Sequence, residues 1–269
     1  MDLVSIPYQF LTSFCHTVYE PKLFLDVKTY VMFIGYPRSG HTLVGFLLDA
    51  HPHAIVASQT SALRYFKHGF GRQQTFHVLV QNSRQVAKTG REQRRYSYDV
   101  PNQWQGRFDK LKVIGESTGL TRLRRNPSLV KSLREKLKDV DLKLIHVIRN
   151  PYDNISTMKL RSGESLPDAI KRYFSMCEIV ERLKTQVAPG AVHDLKHEAL
   201  ITDPKNALKD MCGFVGLSAG ESYYVDCASI IFKSSHQTRN DVEWNEELID
   251  SVKQQMGKFS FLAGYGHDD

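Results

Sequence analysis

Cysteine is scarce. The 269 residues hold four, at positions 15, 177, 212 and 227. No two have C-x-x-C spacing, so neither a zinc ribbon nor a redox dithiol is indicated. So few thiols in a chain of this length suit a reducing compartment better than a disulfide scaffold. The N-terminal stretch MDLVSIPYQFLTSFCHTVYEPK has no basic leader region, and its uncharged part, Leu3 to Thr17, is interrupted by Pro7 and His16. It is too short and too polar to span a bilayer, and reads as an irregular arm or short helix. Internal repeats and Ser/Pro-rich linkers are also lacking. With 41% hydrophobic and 24% charged residues, collagen-like, low-complexity and wholly disordered chains are excluded. Acidic excess is lacking too: 36 Lys and Arg face 29 Asp and Glu, a net charge of +7 that favours anionic ligands without choosing among them. The length suits a single domain over 1–269.

What is present alternates strand and helix. TYVMFIG (29–35) is apolar on both faces, as a buried parallel strand requires, and ends in glycine. Helical spacing of Leu43, Phe46, Leu47 and Ala50 follows, stopped by Pro52. Further strands are expected at 111–115, 142–148 and around Val192–Leu195. Helices are expected from Asn126–Pro127 onward, around 61–80, and at 166–187, 204–215 and 244–256. This is an α/β pattern: a parallel sheet flanked by helices, with a P-loop-like strand–loop–helix near the N-terminus. The polar, aromatic segment 89–110 fits neither period and is expected to be a long ordered loop over one face of the sheet.

Between the first strand and its helix lies Gly35-Tyr36-Pro37-Arg38-Ser39-Gly40-His41-Thr42. Backbone N–H groups at a helix N-terminus, with the helix dipole, attract anions. Gly40 allows the chain to approach a phosphate closely, and Arg38, Ser39 and Thr42 add donors. The segment departs from the Walker A pattern at the lysine, where His41 stands. The later strand LKLIHVI ends in Arg149 rather than a metal-holding aspartate. The loop reads as a site for phosphates that arrive without magnesium.

GYPRSGHT after one strand and IRNPYDNIST after another resemble the two cofactor loops of sulfotransferases that use 3′-phosphoadenosine 5′-phosphosulfate (PAPS). HDLKHEALITDPKNALKDMCGFVGL and FKSSHQTRNDVEW are similar to that family's later strand–turn–helix and nucleotide-closing loop (230–243), so the resemblance runs from about Tyr30 to Met256. It implies a PAPS cofactor, with product 3′,5′-bisphosphate (PAP), and no metal. It also implies that Arg38, Ser39, Gly40, His41, Thr42 and Leu43 hold the 5′-phosphosulfate. Arg149, Ser156 and Thr157 are implied for the 3′-phosphate, His197 near adenine, and Lys233, Ser234 and Arg239 in the closing loop. The arginine at 38 is closer to tyrosylprotein-type members than to the lysine-bearing cytosolic type, and is expected to stabilise charge on the leaving oxygen.

The general base departs from the family pattern. Where related sequences place a glutamate after D-A-H-P (here Asp49–Pro52), this chain has Gln59. Glu116, at the end of LKVIG, is the next candidate, and His41 has a suitable unperturbed pKa. If neither serves, the acceptor is an amine or carbamoyl-type nitrogen, or activity has been lost. Gln59, Tyr65, Phe66, Tyr96, Tyr98 and Trp104 are expected to border the acceptor pocket, with Phe70 and Phe76 as further aromatics; any of these aromatics could equally be core, and about half are expected to be. The clusters Arg91/Arg94/Arg95 and Arg122/Arg124/Arg125 could meet an acidic polymer or simply be solvated. The expected function is transfer of a sulfuryl group from PAPS to a hydroxyl or nitrogen of a small-molecule acceptor, in the cytoplasm, with neither nucleic acid nor membrane as partner. A P-loop kinase and a non-catalytic PAP- or nucleic-acid-binding protein are the alternatives.

Overall fold

Strand β1 (Thr29–Gly35) is buried at every position because it lies mid-sheet with apolar layers above and below. The computed structural model describes residues 5–93, 96–117 and 129–269. Its main sheet is parallel, in the order β2-β5-β1-β6-β7, with β2 at Ala54–Ala57, β5 at Val113–Glu116, β6 at Asp141–Ile148 and β7 at Val192–Lys196. Tyr30 of β1 is in register with Ile114 of β5 and Leu142 of β6. A Cβ added at Gly115 would lie 2.1 Å from the Val31 carbonyl oxygen, so glycine sets the close approach of β5 to β1. The two-residue strands β3 (Glu92–Gln93) and β4 (Tyr96–Ser97) form a separate antiparallel pair.

Helices cover both faces, as the alternating pattern implies. On one side pack α3 (Ala62–Lys67), α4 (Arg72–Thr89), α5 (Leu129–Leu137), α6 (Pro151–Ser162), α7 (Leu166–Thr185) and α11 (Glu246–Met256). On the other are α2 (His41–Asp49), α9 (Pro204–Phe214) and α10 (Glu221–Ser229). The short α8 (His197–Thr202) follows β7 directly. The loops after β1 and β6 therefore emerge side by side at the C-terminal edge of the sheet, where open α/β sheets take ligands.

Four elements differ from expectation. The N-terminal arm is a regular helix, α1 (Ser5–Tyr19), lying on α4. The single helix expected around 61–80 is two, α3 and α4, separated by a turn in which Gly69 has φ +84°. Strand β2 is only four residues long, too short to show a period, and α10 mixes polar residues among its apolar ones. The Asn126–Pro127 start expected for α5 lies outside the described residues.

Candidate active site

The turn after β1 is built from left-handed residues. Gly35, Arg38 and Gly40 have φ of +127°, +75° and +98°. Left-handed residues in such a turn let neighbouring backbone N–H groups converge, the form of an anion-binding concavity; the Ser39 N–H itself bonds the Tyr36 carbonyl at 3.3 Å. Gly40 is the N-cap of α2, so no side chain caps the helix, and its first N–H groups face the loop. Ser39 is wholly buried and its Oγ meets no protein partner. His41 is partly buried. Burial brings its pKa down to about 4, with a further push from the Arg38 charge, so its imidazole is neutral at pH 7.

The loop after β6 is tied to this turn. Asn150 caps α6, its side chain accepting from the Tyr152 N–H at 3.0 Å. One turn on, Asn154 Nδ2 donates to the Pro37 carbonyl at 2.9 Å. Arg149, 8% exposed, donates to Thr157 Oγ1 at 3.1 Å, to the His236 carbonyl at 2.6 Å and to Thr238 Oγ1 at 3.0 Å, while its Nε has no partner. Burial lowers its pKa and the charges of Asp153 and Glu198 oppose that, so it remains a cation.

His197, first residue of α8, bridges the two loops. Its ring fills the space where a side chain at position 40 would project: an added Cβ would lie 2.5 Å from His197 Cδ2. Burial, reinforced by the Arg149 charge, brings the His197 pKa down to about 4, and its Nδ1 is buried without a partner. Tyr96 from β4 meets Phe232 edge to face at 5.4 Å. The Arg38 charge acts on the Tyr98 hydroxyl, against burial, which raises the Tyr98 pKa. Tyr98 stacks on Phe46 of α2 at 5.1 Å.

Comparison with known proteins identifies the family and the fold. The model described as the sulfotransferase family matches residues 31–221, more than half the chain. The chain belongs to the sulfotransferase family. A direct search of curated proteins gave no match for this sulfotransferase. Among solved structures it resembles the sulfotransferase domain of the Synechococcus PCC 7002 olefin synthase (14% identity, TM-score 0.56, covering 86% of this chain and 94% of that one). It also resembles the sulfotransferase domain of the curacin biosynthetic pathway (12%, 0.52, 87% and 98%) and sulfotransferase STF9 from Mycobacterium avium (10%, 0.51, 92% and 81%). At these identities the likeness is one of fold.

Several residues expected in the sulfotransferase site are occupied elsewhere. Arg239 forms a buried ion pair with Asp153 at 3.0 Å and donates to the Gly266 and His267 carbonyls at 3.0 and 2.6 Å, so it staples the C-terminus rather than facing the cleft. Ser156 is fully buried and its Oγ accepts from Trp244 Nε1 at 3.1 Å. The Leu43 side chain lies in the core, leaving only its backbone toward the loop. Tyr65 is 1% exposed and packs on Phe70 at 5.2 Å, so it too is core, as are Phe70 and Phe76; Phe66 packs partly buried against the main core. Lys233 and Ser234 are exposed in the segment beside Phe232.

Glu116 was the candidate base. It is fully buried and accepts from the Ala62 N–H at 2.9 Å and Ser61 Oγ at 3.4 Å, capping α3. Gln59 is exposed at the C-terminal end of β2 with φ +56°, a left-handed conformation uncommon for a residue with a side chain. Trp104 is 38% exposed, with Arg107 over its ring at 5.9 Å.

Sequence reasoning missed the anchor of the 89–110 segment. Arg91, placed in a basic cluster, is 3% exposed and pairs with Asp49 of α2 at 2.8 Å. Asp49 also accepts from the Val56 and Gly106 N–H groups and from Ser83 Oγ. The clue was an aspartate in the last, otherwise apolar turn of a helix. Arg94, Arg95, Arg122, Arg124 and Arg125 lie outside the described residues. A shallow cavity of about 480 Å³ between α4 and residues 103–107 is lined by Arg84, Lys88, Arg91 and Arg107 and shares no residue with the loops after β1 and β6.

His16, Glu20 and His77 bring three possible metal ligands within 4.8 Å, but the imidazoles stack face to face at 4.0 Å, so their in-plane lone pairs do not converge. No helix among the described residues is long and apolar enough to cross a membrane.

Proposed function

We propose that this sulfotransferase takes PAPS as donor and acts on a small-molecule acceptor. One observation carries the reading. Three of the buried polar atoms without protein partners, Ser39 Oγ, His197 Nδ1 and Arg149 Nε, gather at the loops after β1 and β6 and the residue beside Gly40, others lying elsewhere in the molecule. Such atoms cost free energy unless something fills their bonds, and a nucleotide phosphorylated at both ends would do so. PAPS would supply the sulfuryl group and its phosphate leaving group. Ser39, Thr42 and the first N–H groups of α2 would hold the 5′ end, and Arg149 with Thr157 the 3′-phosphate.

Arg38 is exposed at the rim of the loop, and its left-handed backbone is one of the few non-glycine outliers among the described residues. Strain of this kind persists where the surroundings over-determine it. We assign Arg38 to the developing negative charge on the leaving oxygen, as a cation that does not deprotonate. With Glu116 capping α3, and an amide at Gln59, no carboxylate is offered as base by either expected position. His41, with its pKa brought down to about 4 instead of the ordinary 6.5, is only a weak base at neutral pH. A nitrogen acceptor, which attacks with its own lone pair and sheds its proton afterwards, makes the least demand on it. Tyr96, Tyr98 and Trp104 would border the acceptor. Three buried, reduced cysteines and one exposed fit a cytoplasmic setting.

Incubation with sulfur-labelled PAPS and a metabolite extract tests the reading: label should pass to an acceptor without added metal. Calorimetry should show PAP binding more tightly than ATP–Mg or an oligonucleotide. Preference for ATP–Mg would identify a kinase. PAP binding with no transfer to any acceptor would identify a non-catalytic nucleotide-binding protein.

A further inference from the structure

The cofactor site leaves the outer face of α1 unexplained. From Ser5 to Tyr19 the helix reads SIPYQFLTSFCHTVY, without a Lys, Arg, Asp or Glu. Its inner side packs on α4: Ile6 and Ser13 are buried, and Phe10 meets Phe70 edge to face at 5.0 Å. Its outer side is apolar as well. Tyr8 is 70% exposed, Leu11 64%, Phe14 54%, Val18 62% and Tyr19 82%, with Cys15 exposed among them. A helix apolar on both sides belongs in an interior. These side chains leave on the order of 700 Å² bare, more than the ~300–600 Å² of the largest patch on a typical monomer and close to the ~800 Å² per partner of a stable interface.

Tyr8, Leu11, Cys15 and Val18 advance by three, four and three residues, as on one face of any helix that meets an apolar surface, and Phe14 and Tyr19 flank this seam. Charge separates the surfaces it could meet. Membrane-surface helices carry Lys and Arg on their polar side, and α1 has neither. In a two-fold pair each patch meets itself, so an uncharged seam is self-complementary and free of like-charge repulsion.

We infer that α1 is a self-association surface through which two copies of this chain pair, seam to seam.

Sedimentation of the full chain across the micromolar range should show a dimer. Leu11→Glu and Val18→Glu should each weaken dimerisation at least tenfold. Both positions are exposed, so the melting temperature and PAP affinity of the monomeric variants should stay at wild-type values, apart from any concentration dependence of melting lost with the dimer. Lys131→Glu, on an exposed position of α5, should leave the dimer intact. A bulky maleimide should label Cys15 more slowly as protein concentration rises. A wild-type monomer throughout that range would overturn the inference, as would a dimer unaffected by both glutamates. A monomer that co-sediments with phosphatidylcholine or phosphatidylserine vesicles, and no longer does so with Leu11→Glu, would replace the second copy by a membrane.

Discussion

Arg38 and Gly40 stand two positions apart in the same turn, both left-handed, and they fail differently when changed. On the proposed reading, Arg38→Ala removes the charge assigned to the developing negative charge. Turnover should fall by about 10²–10³, with PAP affinity changed only a few-fold and Arg38→Lys recovering part of the rate, measured by label transfer and calorimetry. Gly40→Ala adds a Cβ that would lie 2.5 Å from the His197 ring, at φ +98°. It should weaken PAP binding more than tenfold by calorimetry while the far-ultraviolet circular dichroism spectrum stays unchanged. Glu116 separates a cap from a base. Glu116→Gln loses one acceptor oxygen at the start of α3, which should cost about 1–3 kcal/mol by urea unfolding and leave turnover per folded molecule as it was. Loss of turnover at full stability would return Glu116 to the role of base.

Helices and loops depend on ties that cross elements. The Arg91–Asp49 pair joins the 89–110 segment to the end of α2, and both partners are almost fully buried. Burial raises the Asp49 pKa while the Arg91 charge pulls it down, so Asp49 relies on its partner to remain charged. Arg91→Met should destabilise the fold by about 3–5 kcal/mol, read by urea unfolding, because it leaves the carboxylate buried without its cation. It should also loosen the segment carrying Tyr98, which stacks on Phe46 of α2. Beneath the phosphate loop, Tyr36 Oη lies 3.2 Å from His146 Nε2, and His146 Nδ1 lies 2.8 Å from Asp194 Oδ1. That chain fixes the start of the turn from below, as Asn154 fixes it from the side.

The whole molecule carries a pH signature. Burial is the first cause that brings His41, His51, His77 and His197 each down to about 4, from an ordinary value of 6.5. Below pH 6.5 the unfolded chain binds protons that the folded chain refuses. Stability should therefore be full above pH 7 and fall as pH drops from 6.5 toward 4. Denaturant midpoints measured against pH should show this slope. His51→Gln should make it shallower, since His51 is wholly buried and its Nε2 lies 3.0 Å from the Ser218 carbonyl.

The amino-acid order alone determined the parallel α/β scheme and the two loops that follow β1 and β6. β1, β6 and the turns after them are contiguous segments whose apolar runs, glycines and capping residues act locally, so TYVMFIG and Asn150-Pro151 could be read in place. Tertiary structure decided everything that depended on a partner distant in the chain. Arg239 and Arg149 are both cations near the same loop, yet Asp153 and two C-terminal carbonyls take Arg239, while Arg149 Nε keeps its bonding capacity. Glu116 is held by the Ala62 N–H and Arg91 by Asp49, partners 54 and 42 residues away that the sequence alone does not place. Side-chain type gives what a group can do, but burial and the neighbours that chain folding supplies settle whether its hydrogen bonds and charge are already taken.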